Sequence, residues 1–233
     1  MGAAPLAWAI VVAAGQGTRF GARKQYASLD GRPLVSWAVE AARRVCAGVV
    51  LVLPSDDLTP AEDRRSRWEA DLVVAGGASR SDSVRAGLAA VPDGVEVIAV
   101  HDAARPLAGP SLWEATIAAV AAGADAAIPT IPVTDTVRSV REDGSLTTLD
   151  RNSLFAVQTP QAFRAGALRG AHAGGNVATD DASLVEARGG IVVQVAGHPH
   201  NLKVTHPDDL LVVTALLPAF RAEIGPLPAA SRR

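Results

Sequence analysis

The chain has 233 residues, 48% of them hydrophobic and 20% charged, enough to build one large α/β domain with a proper core. A net charge of −2 provides no global field to recruit nucleic acid or an anionic membrane, so any anion must be gathered by local clusters. The lone cysteine, Cys46, excludes an internal disulfide, argues against a cysteine-based zinc site and fits a reducing cytoplasm.

The first predicted strand ends in Ile10-Val11-Val12, β-branched and uncharged. The apolar residues before it lack a basic leader and are too few to span a bilayer, so they read as the start of a buried strand. The strand runs into Ala13-Ala14-Gly15-Gln16-Gly17-Thr18-Arg19-Phe20-Gly21, and Arg23-Lys24 follow. Glycines permit positive φ and close backbone approach, successive N–H groups form an anion nest, and the cations complete a polyphosphate site. No G-K-[ST] closes the loop, so it is not a P-loop. Phe20 stands where a dinucleotide fingerprint needs its third glycine, and the distance of about 20 residues at which a ribose-binding acid is expected falls in a helical pattern around Glu40, whereas the second strand ends only at Leu53. Several cations suit a loop that stabilises charge moving onto a leaving pyrophosphate.

Asp30-Gly31 marks a turn, and Pro33 opens a helix with Leu34, Trp37, Ala38 and Ala41 on one face. A second buried strand spans 49–53, and a short charged helix is expected over 60–70. A third strand, 72–75, ends in Gly76-Gly77-Ala78-Ser79-Arg80-Ser81-Asp82-Ser83, read as a loop before a helix over 84–91. A fourth, 95–100, ends in His101-Asp102-Ala103-Ala104-Arg105-Pro106. A helix over 110–122 and a fifth strand over 124–128 follow. Apolar strands alternating with helices predict a mostly parallel sheet covered on both faces, with ligands beyond the carboxyl ends of its strands. Three polar loops, 15–24, 76–83 and 101–106, all leave strands at that edge and are expected to form one site.

From Thr130 the rhythm changes. Residues 136–140 and 146–149 alternate around Glu142-Asp143-Gly144, a polar-faced hairpin with little apolar surface of its own. It either projects toward a second subunit or lies on its own domain. Residues 161–172 are helical in pattern, Thr179 caps a helix to Arg188, 191–195 is a strand, 201–205 is short and extended, and 207–222 is the last helix. Residues 226–233 read as a disordered tail. The five histidines are read as structural or solvated.

The runs A-A-G-Q-G-T-R-F, K-Q-Y, G-G-A-S-R-S-D-S-V, H-D-A-A-R-P, D-T-V, D-R-N, T-P-Q, T-D-D-A-S and N-L-K-V-T stand in order in one chain. Together they resemble the 2-C-methyl-D-erythritol 4-phosphate cytidylyltransferases of the non-mevalonate isoprenoid pathway, from about residue 9 to 211. The resemblance implies a Rossmann-like three-layer α/β/α fold of the nucleotide-diphospho-sugar transferase type, a single domain over 1–225, and a protruding dimerisation arm at about 131–152. It implies a cytoplasmic homodimer that joins CTP to a sugar-alcohol phosphate with Mg²⁺ and releases pyrophosphate, with no nucleic-acid or membrane partner. Carried over residue by residue, the backbone of Ala13, Ala14, Gly15, Gln16, Gly17 and Thr18 lines the nucleotide. Gly77 and Ser83 read cytosine and ribose, and Asp102, with Ala103 beside it, sits near ribose and metal. Arg19, Lys24, Arg151 and Lys203 are the catalytic cations. Arg105, Thr136, Arg151, Thr159, Thr179 and Lys203 fall on the acceptor side.

The sequence departs from the family pattern twice. The loop between Arg19 and Lys24 is short, which makes Arg23 a candidate to share its work, and Ala78 replaces an acid near the cytosine, leaving base reading to backbone groups. Two other readings stand beside the first: a ribitol-5-phosphate cytidylyltransferase, and a non-catalytic CTP sensor. A sensor has no need of acceptor-side cations such as Arg151 and Lys203.

Overall fold

The computed structural model describes residues 4–58, 65 and 67–225. The helix expected over 60–70 lies mostly, and the tail 226–233 wholly, outside them.

The centre is an eight-stranded sheet. Strands β1 (Ala7–Val12), β4 (Gly48–Leu53), β5 (Leu72–Ala75) and β6 (Val97–Asp102) are parallel in the order β6-β1-β4-β5. Every residue of β4 and β6 is buried, as continuous apolar runs require when both faces are covered. Alternation then splits the side chains between two cores. Ala9, Val11, Val49 and Leu51 join Trp113 and Ile117 on one face, whereas Ile10, Val50 and Val52 join Val84, Leu88 and Leu168 on the other. Helices α1 (Leu34–Arg43) and α3 (Pro110–Ala121) cover the first face, and α2 (Arg80–Ala90), α4 (Ala165–His172) and α5 (Asp181–Glu186) the second. The result is the expected α/β/α sandwich. The last helix, α6 (Asp209–Ile224), packs Val213, Leu217 and Phe220 against Leu34 and Trp37. Between β1 and α1, the short strands β2 (Ser28–Leu29) and β3 (Arg32–Pro33) are joined by Asp30 and Gly31, both at positive φ, as a two-residue hairpin demands.

The sheet's other half corrects the sequence reading. Residues 161–172 are not one helix: β11 (Gln161–Arg164) inserts antiparallel between β6 and β7 (Ala126–Pro132), and only then does α4 begin. Ala162 and Phe163 are fully buried in the sheet, a tertiary demand that overrides a helix-compatible pattern. Strand β10 (Phe155–Val157) also pairs antiparallel with β7, and β12 (Val192–Ala196) pairs parallel with it. The polar hairpin is present as β8 (Arg138–Val140) and β9 (Leu146–Thr148), a separate two-stranded sheet that joins no strand of the main one. Val140 is 72% exposed and Leu146 55%. Among the described residues no helix is long and apolar enough to cross a membrane.

Candidate active site

At the carboxyl edge of β1, β5 and β6, the three loops singled out in the sequence surround one cavity of about 400 Å³. Each wall is built locally. After β1 the chain turns at Gly17, whose φ is +67°; a β-carbon there would meet the Ala22 carbonyl oxygen at 1.9 Å. A β-carbon at Gly15 would meet nothing within 4 Å, so the fold itself does not require glycine there. Among the described residues, the backbone amides of residues 15–19 donate to no acceptor, which leaves a row of N–H groups at the cavity mouth.

The loop's downstream end is moored. Arg23, expected to help Arg19 and Lys24, instead turns away to Asp56 and Asp57, and the Tyr26 hydroxyl donates to Asp57 at 2.7 Å. A one-turn 3-10 segment, Lys24–Tyr26, follows and aims Lys24 into the cavity. Its Nζ donates to the Val204 carbonyl at 2.8 Å, and burial together with the nearby charge of Lys203 lowers its pKa. Gln25, absent from the expected site, is buried and also lines the cavity; its Nε2 has no partner among the described residues.

The second wall is the start of α2. Ser79 accepts from Asp82 N–H while the Asp82 carboxylate accepts from Ser79 N–H, a capping box that starts the helix at Arg80. Ser83, expected in a loop, is therefore helical. Its hydroxyl accepts from Gly77 N–H at 3.2 Å and donates to Ser79 O at 3.0 Å, which fixes the Gly77 turn against the cavity.

Asp102, the last residue of β6, forms the floor. The Lys203 Nζ lies 2.6 Å from its Oδ2 and the Arg80 Nε 3.4 Å from its Oδ1. Burial alone would raise its pKa; the two cations outweigh burial and hold the carboxyl well below the usual range. Lys203 reaches it because Val204 is fully buried and donates its N–H to Ala104 O, so the extended segment turns residue 203 outward. Arg80, which the sequence reading quoted in a motif but gave no role, also binds Asp181 through Nη1 at 2.7 Å. Asp181 is fully buried and its other oxygen lies 2.9 Å from His172 Nε2.

The cavity thus brings together Ala13, Ala14, Gly15, Gln16, Arg19, Lys24, Gly77, Ser83, Asp102, Ala103 and Lys203, with Gly17 and Thr18 in the adjoining turn. Five acceptor-side candidates lie elsewhere. Thr159 is buried; its Oγ1 accepts from Asp102 N–H and its hydroxyl donates to His101 Nδ1, both at 3.0 Å. His101 is neutral, burial having pushed its pKa down to about 4, and its Nε2–H donates to Arg105 O. Thr159 therefore sets Asp102 from behind. Arg105 spends its guanidinium on the carbonyls of Asn201 and Val157. Thr179 is exposed and is not the cap of α5; Asp180 is, accepting from Ser183 N–H. Thr136 and Arg151 are exposed in and beside the hairpin, and Arg151 donates to Thr134 O.

A family model described as IspD: 2-C-methyl-D-erythritol 4-phosphate cytidylyltransferase matches residues 7–219. A protein of that name from Saccharopolyspora erythraea is 44% identical over 90% of this chain and 98% of its own length. A bifunctional IspD/IspF enzyme from Solidesulfovibrio magneticus is 44% identical over 87% of this chain, which spans only 55% of that longer relative. The crystal structure of 2-C-methyl-D-erythritol 4-phosphate cytidylyltransferase from Thermus thermophilus superposes with a TM-score of 0.76 at 32% identity, covering 90% of this chain and 98% of that one. A 4-diphosphocytidyl-2C-methyl-D-erythritol synthase structure from Anaerococcus prevotii gives 0.78 at 27% identity, covering 93% and 100%.

Proposed function

The chain belongs to the 2-C-methyl-D-erythritol 4-phosphate cytidylyltransferase family, a family of nucleotidyltransferases in isoprenoid precursor biosynthesis, and from that premise we propose how its residues carry out the transfer. CTP and 2-C-methyl-D-erythritol 4-phosphate are the substrates. An oxygen of the acceptor phosphate forms a bond to the α-phosphorus of CTP. The bond from that phosphorus to its bridging oxygen breaks, and pyrophosphate leaves with the electron pair. The acceptor is already ionised, so neither a side-chain nucleophile nor a general base is required.

The obstacle is repulsion between two anions, and the observation that carries the reading is the convergence of cations on it. Arg19 and Lys24 from one loop and Lys203 from a distant segment near the last helix line a single cavity beside the free amides of residues 15–19. Arg19 and Lys24 hold the triphosphate, and Lys203 stands between it and the acceptor. Gly77 and its surrounding backbone read the base. Mg²⁺ commonly binds through phosphate oxygens, water and one or two carboxylates. Asp102 provides one carboxylate, and no cluster of three His, Cys, Asp or Glu side chains suited to a metal exists among the described residues. The donor set fits a cation that arrives with the nucleotide. When bound, such an ion neutralises phosphate charge.

Thr136 and Arg151 meet acceptor only if the arm reaches a second copy of the chain. Exposed Val140 and Leu146 on that arm, with exposed Phe155 on β10 just beyond it, give an apolar surface to bury, which supports a homodimer in which each arm completes the partner's site. Charged substrates and a single buried thiol suit the cytoplasm. The test is pyrophosphate release from CTP, Mg²⁺ and each acceptor in turn. Release with 2-C-methyl-D-erythritol 4-phosphate is expected; preference for ribitol 5-phosphate, or no release with either, would overturn the assignment.

A further inference from the structure

The start of α2 is tied to residues 176–181 by one ion pair and two hydrogen bonds. Arg80 Nη1 binds Asp181, Ala178 N–H donates to Ser81 Oγ at 3.3 Å, and Arg85 Nη1 donates to Asn176 O at 3.0 Å. Three ties from the first two turns of α2, whose first turn lines the cavity, thus join it to the segment that carries Thr179. Asp180 at its end is held by Gln161 and Ser183, whereas residues 173–177 are exposed and include Gly174 and Gly175, the latter at φ +71°.

We propose that Arg80 is a positioning residue, a strut between Asp102 and Asp181, through which nucleotide in the cavity orders the 173–180 segment and so tightens acceptor binding. The proposal rests on the transfer reading given above. Asp181 is fully buried with Arg80 and His172 as its polar partners, so the guanidinium cannot leave it without stranding a buried carboxylate. At its other edge the same guanidinium meets Asp102, which Lys203 also holds. Whatever fixes Arg80 or Asp102 from the cavity side therefore fixes Asp181 and the first turn of α5. The guanidinium reaches the two carboxylates through separate, fixed donor sites, Nε and Nη1, a spread that a compact lysine ammonium does not reproduce. The entropy of ordering the segment is then spent when nucleotide binds, leaving less to spend when acceptor follows, and by linkage acceptor strengthens nucleotide binding by the same factor.

Hydrogen exchange on the full-length protein, with and without saturating CTP and Mg²⁺, reads the coupling directly. In the wild type, amides of residues 173–180 should exchange about tenfold more slowly with CTP, and Arg80→Lys should remove that protection. In turnover, Arg80→Lys and Asp181→Asn should each raise the acceptor KM about tenfold with a smaller change in kcat, and the double variant should be no worse than either alone. Arg80 is partly exposed, so its variant remains informative should Asp181→Asn fold poorly. Unchanged exchange on adding CTP to the wild type, or full protection retained in Arg80→Lys, overturns the proposal. Protection without pyrophosphate release would instead remove the transfer reading and leave the strut standing.

Discussion

Lys24 and Lys203 carry the sharpest expectations at the level of single side chains. Both line the cavity, one against the Val204 carbonyl and one against the buried Asp102, which keeps Arg80 as an ionic partner when Lys203 is truncated. Lys24→Ala and Lys203→Ala should each cut turnover by about 100-fold or more, as loss of a charge-stabilising donor does, with thermal stability little changed. Near-normal rates for Lys24→Ala would remove the loop from the chemistry. Lys24 also predicts a pH effect. Its pKa is lowered, by burial first and Lys203 second, so it loses its proton earlier than a free lysine. Between that lowered value and the ordinary lysine value the unfolded chain holds more protons than the folded one. The lysine's contribution to stability therefore rises with pH while its hold on phosphate is lost. kcat/KM for CTP should fall on the alkaline side, and Lys24→Arg should move that limb upward; coincident limbs would contradict it. At this scale the sequence foretold that Lys24, Asp102 and Lys203 would share one cavity, because each lies at a strand end, in the loop that follows one, or in a short extended segment. It was not readable for Arg80 and Thr159, whose partners lie 101 and 57 positions away.

Elements were legible where periodicity and capping agree. The buried runs of β1 and β4 and the Pro-initiated α3 came out close to the expected bounds, β6 runs over 97–102 rather than 95–100 so that His101 and Asp102 end the strand instead of opening the loop, and Ser79-x-x-Asp82 holds a capping box that moved the start of α2 four residues ahead of the expected 84. The failure at 161–172 has a physical cause: four residues of strand followed by eight of helix carry no internal punctuation, and only insertion between β6 and β7 decides the boundary. The hairpin was legible as a hairpin, and its purpose is testable. Deleting residues 136–149 should convert a dimer to a monomer in sedimentation and lower activity at least as much as Arg151→Ala does. A dimer that survives the deletion would place the interface elsewhere.

For the molecule as a whole, strand alternation and the parallel order fixed the sandwich and the edge that holds the site, but not the antiparallel entry of β10 and β11, which depends on contacts no local pattern encodes. Because β11 alone among the described strands pairs with both β6 and β7, the sheet of the nucleotide half is linked to the rest through a segment made late. A fragment ending at residue 158 should retain much of its helical signal but fail to bind CTP, as measured by calorimetry; tight binding by the fragment would show that the first half suffices.

That late strand has a further bearing on how the enzyme comes into being. Thr159, one residue before the turn into β11, is what grips the amide of Asp102. On a ribosome delivering the polypeptide from its amino end, a nascent chain holds the glycine loop, both halves of the capping box and the acid long before it holds the hydroxyl that seats the acid. A nascent polypeptide is therefore expected to gain its hold on triphosphate only after residue 159 has emerged and β11 has taken its place in the sheet.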